Sequence, residues 1–463
     1  MCVDVELSRL HQYVAALTVS IAVLSVGTVV GWTGNIIDVL LAGQYNNIPI
    51  SPKFLSWLIS LSTLASMIFS IPSGIMCDTF GRKTTLLFLT IPVIVGWLLI
   101  LFANSIDIIL IGRFITGIGT GSLYVLVPLY ASEIAETEIR GKLASFFQLF
   151  LTFGTCLSYI LGYVVHIKVF IIICATMPII FFIAFIFQVE SPIYKVKQKE
   201  YDEAKAILRH LRGKSYDVDA AISEIINSLQ AKKHNTSIKE LLHKRSTRIA
   251  VIVSLSLTFF QQASGSIVVI FYTIEIFASS GSTLNPKEAT IVIGVLRVLA
   301  SFTSSIVMDL FPRKKLLVTS SFFSAVGLMI LGIYYSLKDR NLASEETLST
   351  FGFMPVLGLS IYTVMISFGI SSMPLIIASE LFPPEIKGVG VSLMGSFSWF
   401  LLFLITRFYI DLKSAVGGDV TFYTFSGVCI MSMLFAIFVV PETKNKSLEQ
   451  IQCELNKQSK TIE

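Results

Sequence analysis

Ser132-Glu133-Ile134-Ala135-Glu136-Thr137-Glu138-Ile139-Arg140-Gly141 returns near the other end of the chain as Ser379-Glu380-Leu381-Phe382-Pro383-Pro384-Glu385-Ile386-Lys387-Gly388. The shared frame is S-E-[I/L]-x-x-x-E-I-[R/K]-G, and each copy follows one long apolar run and precedes another. A second pair recurs at a similar separation: Asp78-Thr79-Phe80-Gly81-Arg82-Lys83 and Asp309-Leu310-Phe311-Pro312-Arg313-Lys314. Two charged signatures repeated in order, each between hydrophobic stretches, mark two related halves of one chain.

The apolar runs decide the solvent. The chain of 463 residues is 54% hydrophobic and 14% charged, where a soluble chain carries about a quarter charged residues. Its mean hydropathy of +0.77 and its 35 phenylalanines agree with that. An all-α integral membrane protein follows. The formal net charge of +5 sits mostly in loops and implies no nucleic-acid partner. Six cysteines (Cys2, Cys77, Cys156, Cys174, Cys429 and Cys453) are scattered without a C-x-x-C pair, so they read as apolar fillers or free thiols, not a metal site.

Runs of about 20 apolar residues are what a bilayer requires of a helix. Twelve are expected: 13–36, 55–77, 85–103, 107–131, 142–164, 168–188, 249–279, 288–310, 315–337, 351–379, 388–411 and 420–440. The first run lacks a small-residue cleavage site and reads as a retained helix. Gly112, Gly117, Gly119 and Gly121 in the fourth run predict close helix packing. Loops holding Arg82, Lys83, Arg140, Lys142 and Arg313 to Lys315 fall on one side, with the 190–247 segment and the stretch after Pro441. The alternate loops carry little base: 104–107 has none, and the loop after the fifth run offers only Lys168. The basic side is expected to be cytoplasmic, with both termini inside.

The organisation read from this is a cytoplasmic N-terminus (1–12), a six-helix bundle (13–188), a cytoplasmic linker (189–248), a second six-helix bundle (249–440) and a cytoplasmic tail (441–463). In the linker, Ala204, Ile207, Leu208 and Leu211, then Ile222, Ile225, Ile226 and Leu229, then Ile238, Leu241 and Leu242 fall at helical spacing. They predict short amphipathic helices rather than a disordered charged linker. Asn235-Thr236-Ser237 matches a glycosylation sequon, which on a cytoplasmic linker stays unmodified.

Six spans, a linker and six spans with duplicated charged loops resemble the major facilitator superfamily. Individual residues resemble its sugar porter family. Gly74-x-x-x-Asp78-x-x-Gly81-Arg82-Lys83, Gly112-Arg113-Phe114 and Pro128-x-Tyr130-x-Ser132-Glu133 are similar to its first-half motifs. Val189-Glu190-Ser191-Pro192, Gln261-Gln262-Ala263-Ser264-Gly265 and Pro441-Glu442-Thr443-Lys444 are similar to its P-E-S-P, Q-Q-x-S-G and P-E-T-K. With Gly31-Trp32-Thr33 the first helix looks most like the facilitative trehalose and hexose transporter branch.

The resemblance implies a gate built from Asp78, Arg82, Arg113, Glu133, Arg140 and Glu190, and from Asp309, Arg313, Glu380, Lys387 and Glu442. Glu133 with Arg140, and Glu380 with Lys387, are expected at helix ends beside Arg82 and Arg313. As exposed pairs, each worth about 0–1 kcal/mol, they would form and break readily. A single charge at a helix end can merely fix topology; a duplicated set points to gating.

The cargo site is expected to be polar, uncharged and near the midplane at the repeat interface. A sugar offers hydroxyls that donate and accept, which suits the amides Gln148, Gln261 and Gln262. Trp399 falls where the family packs a Trp on the sugar's apolar face. An intramembrane Gln can equally serve as an interhelical hydrogen bond. The chain departs from the family pattern at Ile267, where an Asn is usual, at Leu375, where a Trp is usual, and at Pro312, where a Gly is expected. Arg297, in the middle of the eighth run, costs about 2.5–3.5 kcal/mol on insertion scales. It must therefore meet a partner such as Glu275 or backbone carbonyls, or face cargo.

No Asp or Glu lies between Tyr13 and Ile37, where proton-linked sugar porters carry a carboxylate at the position of Thr33. The expected function is uniport of a sugar, hexose or trehalose, in the plasma membrane, by a monomer without cofactor or metal. Alternatives are a carrier of another polyol or an organic anion, and a non-transporting sugar sensor on the same fold. The short stretch after Lys444 argues against the sensor. The five histidines lie outside the centres of the runs, so an enzyme is not expected.

Overall fold

The computed structural model describes residues 2–46, 48, 52–136, 138–213, 216–233, 245–280, 285–382, 387–444, 446 and 450. Every regular element among them is a helix: α1 (Cys2–Leu41), α2 (Pro52–Phe80), α3 (Arg82–Leu101), α4 (Ile106–Ile134), α5 (Arg140–Val164), α6 (Ile167–Ile186), α7 (Pro192–Lys197), α8 (Tyr201–Arg212), α9 (Val218–Lys233), α10 (Arg245–Ala263), α11 (Ser266–Ser280), α12 (Pro286–Leu310), α13 (Arg313–Asp339), α14 (Glu345–Thr350), α15 (Met354–Phe368), α16 (Met373–Leu381), α17 (Lys387–Val416) and α18 (Gly418–Phe438). Twelve stretches among them are long and apolar enough to cross a membrane, one at each expected run. Two of the twelve are not single helices. The seventh span joins α10 to α11 and the tenth joins α15 to α16.

The chain forms two compact units. One contains Met1–Trp32, Val39–Ser51 and Leu61–Asn235; the other contains Thr33–Asp38, Pro52–Ser60 and Thr236–Glu463.

In the first unit the glycines of α4 let its backbone approach two neighbours. A Cβ on Gly117 or Gly121 would meet α2 at Ser62 and Ser66, and one on Gly112 or Gly119 would meet α3 at Ile100 and Val93. Ser66 Oγ uses the closeness to donate to the Gly117 carbonyl at 2.9 Å. Such contacts replace the hydrophobic drive that lipid cannot supply between helices.

The linker helices α7–α9 belong to the same unit. Val196, Ala204, Leu208, Val218, Ala221 and Ile222 form their core, with Ile225, Ile226 and Leu229 packed against it. Burial of each large aliphatic side chain stabilises by about 1.5–3 kcal/mol. Lys195 pairs with Glu200 and Glu203, each at 2.6 Å, and Lys205 pairs with Asp219 at 2.7 Å. Residues 238–242 and the 235–237 sequon lie outside the described residues.

Gln12 fixes this linker to α1. Its amide donates to Glu136 Oε1 at 3.0 Å and to the Leu211 carbonyl at 3.1 Å, and its oxygen accepts from the Glu136 amide at 2.9 Å. His11 meets His210 edge to face at 4.7 Å. Arg9 adds a bond to Glu138 at 2.5 Å.

Candidate functional site: charged helix ends and a glutamine pair

At Gly81 the chain leaves α2 with φ +94, a conformation that suits glycine. A Cβ there would stand 2.5 Å from Glu190 Oε2 and 3.0 Å from Tyr194 Cε1. The turn exposes the first amides of α3, and Glu190 covers them. Its Oε1 accepts from the Arg82 amide at 2.9 Å, and both its oxygens accept from the Lys83 amide at 3.1 Å. A carboxylate at a helix N-terminus is favoured by unpaired N–H groups and by the helix dipole.

The Arg82 side chain folds the other way. Its Nε and Nη2 take the two oxygens of Glu133 at 2.8 and 2.9 Å. Its Nη2 also meets Asp78 Oδ1 at 3.1 Å, and Nη1 donates to the Cys77 carbonyl at 3.2 Å. The Ser191 hydroxyl donates to Glu133 from above, and the Tyr194 ring lies 5.5 Å from the guanidinium. Lys197 closes the group on Asp78 at 2.8 Å. Asp78, Arg82, Glu133 and Glu190 are therefore one constellation. It is not the set of exposed pairs expected: Arg82 is 3% exposed and Glu133 9%. The cover comes from Ser191 and Tyr194, remote in sequence. A bidentate pair out of water costs about 3–5 kcal/mol to break by removing one partner.

The second unit repeats the cap. Glu442 accepts from the Arg313 amide at 3.0 Å, the Lys314 amide at 3.1 Å and the Lys444 amide at 3.0 Å. Pro312, with φ −59, makes the turn that Gly81 makes in the first half. The ion pair is looser. Arg313 Nη2 reaches Glu380 Oε1 at 3.5 Å, and the side chains keep 14% and 26% exposure. Arg313 Nε and Glu380 Oε2 are buried without a hydrogen bond among the described residues. Arg313 spends its Nη1 on the Met308 carbonyl. The side chains of Arg140, Asp309 and Lys387 lie outside the described residues.

Arg113 does not join the charged helix ends. It lies 20 residues before Glu133 on the same helix, about 30 Å along the axis. It is 1% exposed, donates to Ser62 Oγ at 3.0 Å and to the Val29 carbonyl at 3.3 Å, and its guanidinium faces the Trp32 ring at 5.3 Å.

The two glutamines stand where the seventh span breaks. α10 ends at Ala263, Gly265 takes φ +87 with the Phe425 ring where a Cβ would go, and α11 begins at Ser266. Gln261 Nε2 donates to the Ser371 carbonyl at 2.6 Å, inside the break of the tenth span, and Gln262 Nε2 donates to Ser398 Oγ at 2.7 Å. Trp399 is next to Ser398 and half-buried, as are Gln148 and Arg297. The charge of Arg297 lies within electrostatic reach of the buried Tyr362, whose hydroxyl donates to the Ser264 carbonyl at 3.1 Å. Glu275, considered as a partner for Arg297, is taken by Lys413 at 2.9 Å. Ile267 is buried and Leu375 is 57% exposed.

Three features escape a reading by motif. Gln12 is one polar residue just before the first apolar run, with no second copy. Ser371 and Ser398 look like ordinary small residues of a span. Asp419, 3% exposed, accepts from Arg340 Nε at 2.8 Å and from the Ser336 hydroxyl at 3.0 Å. The signal for that last pair was present, since both charges flank apolar runs.

The family model described as "Sugar (and other) transporter" matches residues 14–455. The chain belongs to that family. Among curated relatives of this sugar transporter family member, the facilitated trehalose transporter Tret1 of Aedes aegypti is 32% identical over 443 residues, covering 95% of this chain and 54% of the relative. Tret1 of Polypedilum vanderplanki is 32% identical over 444 residues, covering 95% and 87%. The chain thus spans about half the length of the first of these (54%) and most of the second (87%). Among solved structures, the inward open conformation of the xylose transporter XylE from E. coli superposes with a TM-score of 0.78 at 20% identity, over 96% of this chain and 98% of that one. That likeness gives the fold; the family match and the Tret1 relatives, taken with it, place the chain among the multi-pass sugar porters of the major facilitator superfamily.

Proposed function

We propose that the chain is a uniporter that moves a sugar, a hexose or trehalose, by alternating access. It acts as a monomer in the plasma membrane with both termini cytoplasmic. The observation that carries the sugar assignment is the pair of adjacent amides at the break of the seventh span. Gln261 and Gln262 each commit their N–H₂ group to a serine of another span, at 2.6 and 2.7 Å. Each amide oxygen remains to accept from a cargo hydroxyl. Pre-fixed acceptors lower the entropy lost when the cargo is ordered. The names of the Tret1 relatives support trehalose within the sugar class. Gln148 and Trp399 complete the proposed contact set, and Arg297 favours an oxygen-rich cargo.

The charged constellations act as the gate in this reading. Asp78, Arg82, Glu133 and Glu190 form its first half. Arg313, Glu380 and Glu442 form its second, with Arg140, Asp309 and Lys387 assigned on sequence alone. The looser Arg313–Glu380 pair is the one that opens at lower cost. Arg113 acts by holding the core of the first unit. Uniport rests on the absence of Asp and Glu from Tyr13 to Ile37, which leaves no titratable carboxylate in the first span beside the cargo.

Counterflow in proteoliposomes tests the assignment, with labelled trehalose, glucose, a panel of polyols and a panel of organic anions. Exchange of trehalose or glucose is expected. Exchange confined to anions, or no exchange with measurable sugar binding, would replace the reading with an anion carrier or a sensor.

A further inference from the structure

The two halves cap a helix in the same way and then diverge. After Glu190 the chain turns into α7, which lies over the start of α3: Tyr194 donates to the Thr79 carbonyl at 3.0 Å and Lys197 reaches Asp78 at 2.8 Å. Over the start of α13 the described residues instead line an open groove of about 520 Å³, formed by Pro312, Lys314, Lys315, Val318, Thr319 and Glu442.

Most polar groups of this groove are already engaged. Glu442 is held by three backbone amides at 3.0–3.1 Å, and two of them, Arg313 and Lys314, are the first of the helix. The Thr319 hydroxyl donates to the Lys315 carbonyl at 2.9 Å, and the nearby Lys444 ammonium is spent on the Leu310 carbonyl at 2.7 Å. The ammonium groups of Lys314 and Lys315 are left, and neither forms an ion pair among the described residues. Beneath them the walls are the Pro312 ring, Val318 and the lysine methylenes. Leu310 and Phe311, 65% and 49% exposed, flank the opening.

A membrane span begins at Arg313, which sets the groove at the depth where hydrocarbon gives way to headgroups. Two cations above an apolar floor at that depth complement a phosphate ester with an acyl chain. We propose that this groove binds one anionic phospholipid, its phosphate between Lys314 and Lys315 and its acyl chain along Pro312 and Val318. A soluble phosphate would leave the apolar floor uncovered, and a zwitterionic lipid would bring its own cation against the lysines. The site shares Glu442 with the proposed gate, but lipid retention is read without transport, so it stands or falls without the transport reading.

Native mass spectrometry of the full chain, reconstituted with phosphatidylcholine and phosphatidylglycerol, tests this. One phosphatidylglycerol is expected to stay bound against excess phosphatidylcholine. Each lysine near a charged headgroup contributes roughly fivefold in binding, so Lys314→Gln with Lys315→Gln is expected to weaken retention about 25-fold. Val318→Trp, which fills the floor without changing charge, is expected to abolish it. Lys83→Gln, at the matching place in the first half, is expected to leave it intact. Equal retention of the two lipids, unchanged retention in the double variant, or displacement by inorganic phosphate would overturn the proposal. Retention that appears only after removal of residues 447–463 would overturn it too, by giving the groove to the chain's own tail.

Discussion

Glu133 receives the whole fork of Arg82, Nε and Nη2 on one oxygen each at 2.8 and 2.9 Å, with both residues nearly out of solvent. The equivalent pair in the second half is a single 3.5 Å contact between partly exposed groups. The difference predicts an asymmetric response. Glu133→Gln leaves the buried guanidinium with only the exposed carboxylate of Asp78 and is expected to cost about 3–5 kcal/mol of stability. Glu380→Gln, more exposed and more distant, is expected to cost no more than about 1 kcal/mol. Thermal unfolding of the two purified variants checks this, and equal shifts would remove the asymmetry.

Gly81 cannot be replaced as Pro312 can. Gly81→Ala imposes a side chain at φ +94 and 2.5 Å from the Glu190 carboxylate, for an expected loss of about 1–3 kcal/mol. Pro312→Gly releases only unfolded-state entropy, about 0.4–1 kcal/mol. Surface expression and unfolding temperature of both variants provide the comparison. A tolerated Gly81→Ala would mean that the Glu190 cap is not essential.

Removal of either amide at the seventh-span break is expected to weaken cargo binding. One net hydrogen bond is worth about 0.5–1.5 kcal/mol, so Gln261→Ala and Gln262→Ala are each expected to raise the counterflow KM by roughly two- to tenfold. Gln261→Ala also frees the Ser371 carbonyl in the tenth span, and its maximal rate is expected to change more than that of Gln262→Ala. Unaltered KM in both variants would separate these residues from the cargo.

Uptake is expected to ignore an imposed pH gradient at fixed voltage, since the first span offers no carboxylate between Tyr13 and Ile37. Acceleration by inward-directed protons would point to a coupling group elsewhere and end the uniport assignment.

The linker has a pH dependence of its own. Burial, and then the neighbouring His11, hold the His210 pKa below its ordinary value. The docked state therefore binds fewer protons at His210 than the undocked one. Docking is full above the ordinary His value of about 6.5 and is lost as pH falls through the depressed one. Hydrogen exchange of α8 at pH 7.5 and pH 5.5 is expected to show faster exchange in acid, and His210→Gln is expected to flatten the difference.

Much of this was legible before any coordinates. Twelve apolar runs give twelve spans because a bilayer leaves a backbone few other choices. Arg82, Glu133, Arg313 and Glu380 stood out because the chain states them twice. Burial of the Arg82–Glu133 pair was not legible, since Ser191 and Tyr194 cover it from about 60 residues beyond Glu133. The breaks in the seventh and tenth spans were hidden because hydropathy runs through them; only Gly265 hints at the first, and Ser371 and Ser372 resemble any small residues of a membrane helix. The surroundings of Arg113 were hidden for a related reason. A motif assigns it to the gate by its neighbours in sequence, while Ser62, Val29 and Trp32 hold it in the core.

The cap on α3 also sets an order of assembly. Every named partner of Arg82, from Cys77 to Tyr194, has been synthesised before residue 200 is added, so the first constellation can close while most of the second half is still being made. The cap on α13 has to wait for Glu442, some 129 residues after Arg313. During that interval the start of α13 carries bare amides at the membrane surface, which makes the second half the vulnerable one in biogenesis and the place where quality control has longest to act.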